Sequence, residues 1–341
     1  MKLIFFLFVL LALLSCQTQE LGRLHETIHV RHQGADMPAY VRGNASDDVF
    51  LIVLHGAGSF GLAFREGVFQ SNLEQDYAVV YWDQRGQSMS QGHYDKPDDL
   101  ISLMVEDVNA LVLTLKHKYG EDITLFLFGH SWGGALGTSV LLTKEYQSNF
   151  AGWIDLDGIH DFPQAETARK ALMETTASEQ IALGNSVEEW NEILDLMATK
   201  DSTAENYYES LLYIAQDGLA ALRSDGLLLP EIVGSDLLHQ TIIANNPIHW
   251  RVSDFFHKPF EAGKEIEYSL TDQLPRIEIP VLLLWGKYDF SVPPALGESA
   301  FEWLGSTDKQ LIIFEKSAHN PLLSEPHEVL PEIRMFIERN K

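Results

Sequence analysis

Hydrophobic and polar positions along this chain fall into two kinds of block. Residues 49–54, 77–82, 125–128, 152–157, 281–285 and 311–314 are runs dominated by apolar side chains. Short continuous apolar runs predict strands buried on both faces. Residues 98–119 carry the other pattern, with Ile101, Val105, Val108, Val112 and Leu115 at three-to-four spacing. Asp98 and Asp99 precede that stripe and Lys116, Lys118 and Gly120 follow it, as the helix dipole favours. The same spacing predicts a helix behind residue 134 and another over 60–74, and Pro331 places the start of the last helix near itself rather than at Pro326. Residues 25–43 alternate loosely around Gly34-Ala35-Asp36, which reads as a hairpin. Buried strands alternating with helices predict an α/β protein, with a mostly parallel sheet and helices on both faces.

Residues 160–274 break the rhythm. They contain no buried-strand run, while 187–200, 205–216 and 236–244 have helical spacing. A helical block between two sheet strands reads as an inserted lid. The chain therefore divides into a first core segment over 25–159, a lid over 160–274 and a second core segment over 275–341.

Composition changes this picture at two points. The 24 basic and 49 acidic residues give a net charge of −25, which argues against a nucleic-acid surface or a polybasic membrane patch. The amino terminus has its own character: Lys2 precedes 12 apolar residues, Leu3 through Leu14, and then Ser15-Cys16. Twelve residues are too few to span a bilayer as a helix and fit the apolar core of an export signal. Leu13-Leu14-Ser15-Cys16 resembles a bacterial lipoprotein signal, which implies a signal peptide over 1–15, lipidation of Cys16 and a tether over 16–24. The expected location is the bacterial cell envelope, with membrane attachment through the lipid alone; a soluble secreted protein is the alternative. Cys16 is the only cysteine, so no internal disulfide supports the fold.

The chemistry concentrates at Leu125-Phe126-Leu127-Phe128-Gly129-His130-Ser131-Trp132-Gly133-Gly134. A buried strand, a Gly-x-Ser-x-Gly and a helical pattern follow one another, the context in which that pentapeptide forms a nucleophile elbow. Gly129 and Gly133 leave strand and helix room to approach, and the Trp132 N–H at the helix start faces the space above the serine. A serine needs a base, and the base needs an acid to orient it. Asp289 lies just past the strand at 281–285, and His319 lies just past the next one. Ser131, Asp289 and His319 are thus the candidate triad, in the chain order this turn predicts. Asp155 and Asp157, which end the strand after the elbow, compete with Asp289; His327 competes less well with His319. The turn His55-Gly56-Ala57-Gly58 offers a second oxyanion donor, with Ala57 the first choice and Gly58 the second. No cluster of His, Cys, Asp and Glu has metal-ligand spacing and no glycine loop suits a phosphate, so neither metal nor cofactor is expected.

Together these motifs resemble the α/β-hydrolase superfamily over roughly residues 25–160 and 275–341. Tyr81 to Ser90, which contains Asp83-Gln84-Arg85-Gly86, is similar to the corresponding segment of the proline iminopeptidase group, as is the Ser131-Trp132-Gly133-Gly134 elbow. The resemblance implies a serine hydrolase acting on a small ester or amide. In its iminopeptidase form it implies a short peptide whose ammonium is held by lid carboxylates, with Glu188, Glu189, Glu205 and Glu209 as candidates. Lid aromatics Trp190, Tyr207, Tyr208 and Trp250 would line an apolar pocket or pack the lid itself. Asp83 and Arg85 read as a structural clamp on their loop. A non-catalytic binding protein on the same fold is the alternative from another class, although a pure binder has no need of all three triad residues.

Overall fold

The computed structural model describes residues 22–92, 99–143, 145–200, 207–232 and 268–341. The signal segment, Cys16, Glu205, Trp250 and the helical pattern at 236–244 lie outside them, and only the backbone is described for Tyr208 and Glu209. Nine strands form one sheet among the described residues: β1 (Arg23–His32), β2 (Ala35–Asn44), β3 (Val49–Leu54), β4 (Ala78–Trp82), β5 (Gln91–Gly92), β6 (Thr124–His130), β7 (Gly152–Leu156), β8 (Val281–Gly286) and β9 (Lys309–Phe314). Their order is β1-β2-β4-β3-β6-β7-β8-β9, with β5 paired to β2. β2 runs antiparallel to its neighbours, and β4, β3, β6, β7, β8 and β9 are mutually parallel. The hairpin turn is Gln33-Gly34, both at positive φ, one residue earlier than the sequence pattern placed it.

The all-apolar runs are buried because helices cover both faces of the sheet. On one side lie α1 (Leu100–Tyr119), α2 (Trp132–Leu142) and α6 (Pro294–Trp303), packed through Val108, Leu136 and Leu296. On the other lie α7 (Pro326–Asn340) and residues 61–76. Two local expectations are corrected. Residues 60–74 form short helical pieces rather than one helix, because Glu66 is extended and Gly67 has φ of 73°. α7 starts at Pro326 and carries Pro331 inside it. Burial of Val329, Leu330, Ile333, Phe336 and Ile337 holds the helix together despite the missing N–H donor.

Between β7 and β8 stand α3 (Phe162–Leu183), α4 (Val187–Thr199) and α5 (Tyr207–Ser224). α3 was not predicted. Asp161 caps it by accepting from the Gln164 N–H at 2.8 Å, and Gly184 ends it in the left-handed region. The chain leaves and re-enters the core at one neck. There Phe162 N–H donates to Tyr268 O at 3.0 Å and Leu270 N–H donates to His160 O at 2.8 Å. Asp161 Oδ2 also accepts from Ser269 Oγ and Thr271 Oγ1. Within the described residues no helix is long and apolar enough to cross a membrane.

Candidate active site

β6 delivers Ser131 to the end of the sheet in a conformation that few residues adopt. Its φ of 56° and ψ of −116° make a sharp turn directly into α2. The turn closes only because its flanks are glycine. A Cβ on Gly129 would lie 2.4 Å from the Trp153 ring, and one on Gly133 would lie 2.0 Å from Leu54 O. The Trp132 backbone is the first residue of α2, so the positive end of the helix faces the space above the serine.

The loop after β8 carries Asp289, fully buried, and the loop after β9 carries His319. His319 Nδ1–H donates to Asp289 Oδ2 at 2.8 Å. Asp289 Oδ1 accepts from the N–H groups of Ser291 and Val292 at 2.8 and 2.9 Å. Three donors therefore fix the carboxylate, and the imidazole it holds keeps its other nitrogen for proton transfer. Ser131 joins this pair through its neighbour: His130 Nε2–H donates to His319 O at 3.0 Å, and the two rings are 4.8 Å apart. Burial lowers the His130 pKa to about 3, so this histidine stays neutral.

The candidate oxyanion turn lies against the nucleophile. A Cβ on Gly56 would stand 3.4 Å from Ser131 Cβ. Gly58 N–H is already committed, donating to Gln87 Oε1 at 2.8 Å. Gln84 Nε2 donates to His55 O at 2.8 Å, and His55 Nδ1 donates to Gly56 O at 2.8 Å. His55 thus acts on its own loop, and burial holds it neutral with a pKa of about 4. Asp83 and Arg85 both clamp, but not each other. Asp83 accepts from the N–H groups of Gly61 and Met89, while Arg85 pairs with Asp107, both side chains fully buried.

The competing acids are also placed. Asp157 is buried near His130 and His319, and its Oδ1 accepts from Gly286 N–H at 2.9 Å, while Asp155 packs against Gly134 of α2 and Gly158. Burial alone pushes the Asp155 pKa up to about 8. His327 is exposed on α7. His130, Asp157 and His319 each bring a ligand-type atom within 4.8 Å of the others, a cluster the sequence spacing did not reveal. His319 Nδ1 and His130 Nε2 in that cluster already make the hydrogen bonds given above.

Sequence reasoning missed Arg169. This buried α3 residue donates through Nε to Phe290 O and through Nη2 to Ser291 O, both at 2.6 Å. It ties α3 to the loop of Asp289. Trp190 and Tyr207 are buried in a cluster with Tyr288, Phe290 and Ala318, whereas Glu188 and Glu189 are exposed. An open cleft of about 490 Å³ lies between α3 and residues 293–295, and none of Ser131, Asp289 and His319 lines it.

Comparison with known proteins agrees with this architecture. Residues 45–188 match the family model described as serine aminopeptidase, S33. A probable aminopeptidase of Bacillus subtilis, YbaC, is 23% identical over 284 residues, covering 81% of this chain and 85% of its own. A proline iminopeptidase of Saccharolobus solfataricus is 25% identical over 263 residues, covering 76% of each chain. Among solved structures, a thermophilic esterase from Thermogutta terrifontis superposes with a TM-score of 0.56 at 18% identity, over 92% of this chain and 98% of the esterase. The chain has the α/β-hydrolase fold, and it is a hydrolase. In this hydrolase, Ser131, Asp289 and His319 follow β6, β8 and β9, and because these strands are parallel all three lie at one end of the sheet.

Proposed function

We propose that this hydrolase cleaves a small ester or amide through an acyl-enzyme at Ser131. Ser131 Oγ attacks the acyl carbonyl while His319 takes its proton, and the same histidine then protonates the leaving group. Asp289 keeps His319 in the required tautomer. The N–H groups of Trp132 and Ala57 stabilise the oxyanion, since Gly58 N–H is engaged with Gln87. The observation that carries this reading is the Asp289–His319 hydrogen bond of 2.8 Å beside a strained elbow serine. Ser131→Ala should reduce turnover by about 10⁴ to 10⁶ and abolish labelling by a fluorophosphonate probe. A variant that keeps most of its turnover overturns the assignment.

Within that reaction, an aminopeptidase acting on short peptides is the second reading, favoured by the names of the Bacillus and Saccharolobus relatives. Burial of Trp190 and Tyr207 in the lid core, with Glu188 and Glu189 exposed, favours packed aromatics and solvated acids over an ammonium pocket built from these residues. A panel pairing p-nitrophenyl esters with prolyl-naphthylamide separates the readings. An amine-recognising site loses activity when the prolyl nitrogen is acetylated; equal rates on free and acetylated substrate leave an esterase. We further propose export and anchoring through a lipidated Cys16. The native protein should then partition into detergent, and Cys16→Ala should move it to the aqueous phase.

A further inference from the structure

Two buried carboxyl groups, not one, stand beside His319. Asp289 ends the loop after β8, and Asp157 sits one residue past β7, with a φ of 47° that turns it out of the sheet. Asp157 is fully buried, and its Oδ2 accepts no N–H among the described residues; its side chain meets the Asp289 carboxyl instead. A carboxylate oxygen of Asp157 lies within 4.8 Å of a ring nitrogen of His319 and of His130. Buried carboxyl oxygens normally accept from N–H or O–H groups, so one that faces a second carboxyl beside the proposed base calls for an explanation.

We propose that Asp157 is a reserve positioning acid for His319, held out of action by Asp289 and able to orient the imidazole when Asp289 is removed. The inference rests on the serine hydrolase reading above. Two carboxyls that share a dry site cannot both be charged. Donor count decides between them: Asp289 accepts three N–H groups, from Ser291, Val292 and His319, whereas Asp157 accepts one, from Gly286. Asp157 therefore holds the proton. Its pKa is raised well above the usual carboxylate range, by burial first and by the Asp289 charge second. Truncating Asp289 removes that charge and vacates the space beside the Nδ1 of His319. Asp157 then loses its proton, and the oxygen freed from Asp289 accepts the imidazole N–H in its place.

The test is a double-mutant cycle on turnover of a p-nitrophenyl ester. Asp289→Ala should lower kcat by about 10², less than the roughly 10⁴ expected when a triad loses its only functional acid. Asp157→Asn alone, which keeps an acceptor for Gly286 N–H, should cost less than about tenfold. Combined with Asp289→Ala, the same Asp157→Asn should cost about a further 10², a dependence on background that a purely structural role does not produce. Asp289→Ser, whose hydroxyl can still accept a loop N–H, replaces Asp289→Ala if thermal unfolding shows that variant to be unfolded. Equal activity of Asp289→Ala and the double variant overturns the proposal. Failure of the serine hydrolase reading is separable, because it would appear as an active Ser131→Ala protein that needs no triad acid at all.

Discussion

Gln87→Leu tests whether the oxyanion turn is preorganised by its neighbour. Gln87 is 2% exposed, and its Oε1 takes the Gly58 N–H at 2.8 Å. Leucine fills a similar volume and offers no acceptor, so the bond is lost; Gly58 is exposed and water can take its N–H, which leaves a net cost of about 0.5–1.5 kcal/mol. Gly58 adjoins Ala57, so a loop that relaxes to recover the bond moves the proposed donor. If the whole cost falls on the transition state, the rate drops by about 2- to 13-fold, since about 1.4 kcal/mol is a factor of ten. This lies below the roughly 10² to 10³ lost when an oxyanion donor is removed outright. We expect kcat on p-nitrophenyl butyrate to fall about 3- to 10-fold with KM within about twofold. The affinity of a trifluoromethyl ketone, which forms a tetrahedral oxyanion on the serine, should weaken in parallel with kcat/KM. Gln87→Glu retains an acceptor and should recover part of the loss. A leucine variant with unchanged kcat and unchanged inhibitor affinity would refute the reasoning.

Two further perturbations follow from the same geometry. Arg169→Met removes two charge-assisted bonds of 2.6 Å to Phe290 and Ser291 carbonyls, each worth about 1.5–3 kcal/mol. It should lower both the unfolding temperature and kcat; full kcat in a destabilised protein would show that the lid does not position the acid loop. Asp155→Asn should change the pH dependence of stability. The folded pKa of Asp155 is about 8 against an ordinary 3.8, so between these values the native state holds a proton the unfolded chain has released. That contribution is fully present below pH 3.8 and is lost as pH rises through 8. The variant should therefore gain on the parent in urea unfolding at pH 8 and match it near pH 4, and parallel curves at both would exclude the effect.

The parts of this molecule that were legible in sequence are those in which one segment carries its own reason. The 49–54 run reads as a buried strand because β3 is covered on both faces. Ser131, Asp289 and His319 each follow such a strand, so position along the chain implied position at one end of the sheet. α3 was hidden for the opposite reason. Arg169, Thr176 and Gln180 are buried within it alongside Ala165, Met173 and Ala177, so its inward face carries no apolar stripe. Its signals were the Asp161 cap, Pro163 after it and the terminal Gly184. His130 and Arg169 were illegible because their partners, His319 and Phe290, are 189 and 121 residues away. Local pattern carries no information about such pairings.

The same distant pairings bear on how the lid works. Tyr288 and Phe290 flank Asp289, and Ala318 precedes His319; all three belong to the hydrophobic cluster that Trp190, Leu211 and Leu222 build inside the lid. The core of the inserted helices and the loops of Asp289 and His319 are therefore one packed unit, and packed interiors transmit small displacements instead of absorbing them. Arg169 adds hydrogen bonds to the same junction, and the Asp161 neck fixes where α3 starts. A lid hinged as a free flap would keep its apolar core to itself and touch the catalytic loops only with its surface. Here, displacing α3 must either open a gap under Phe290 or carry the Asp289 loop along with it. Substitutions inside the lid core should accordingly register in kcat as well as in KM, although no residue of that core needs to touch the substrate.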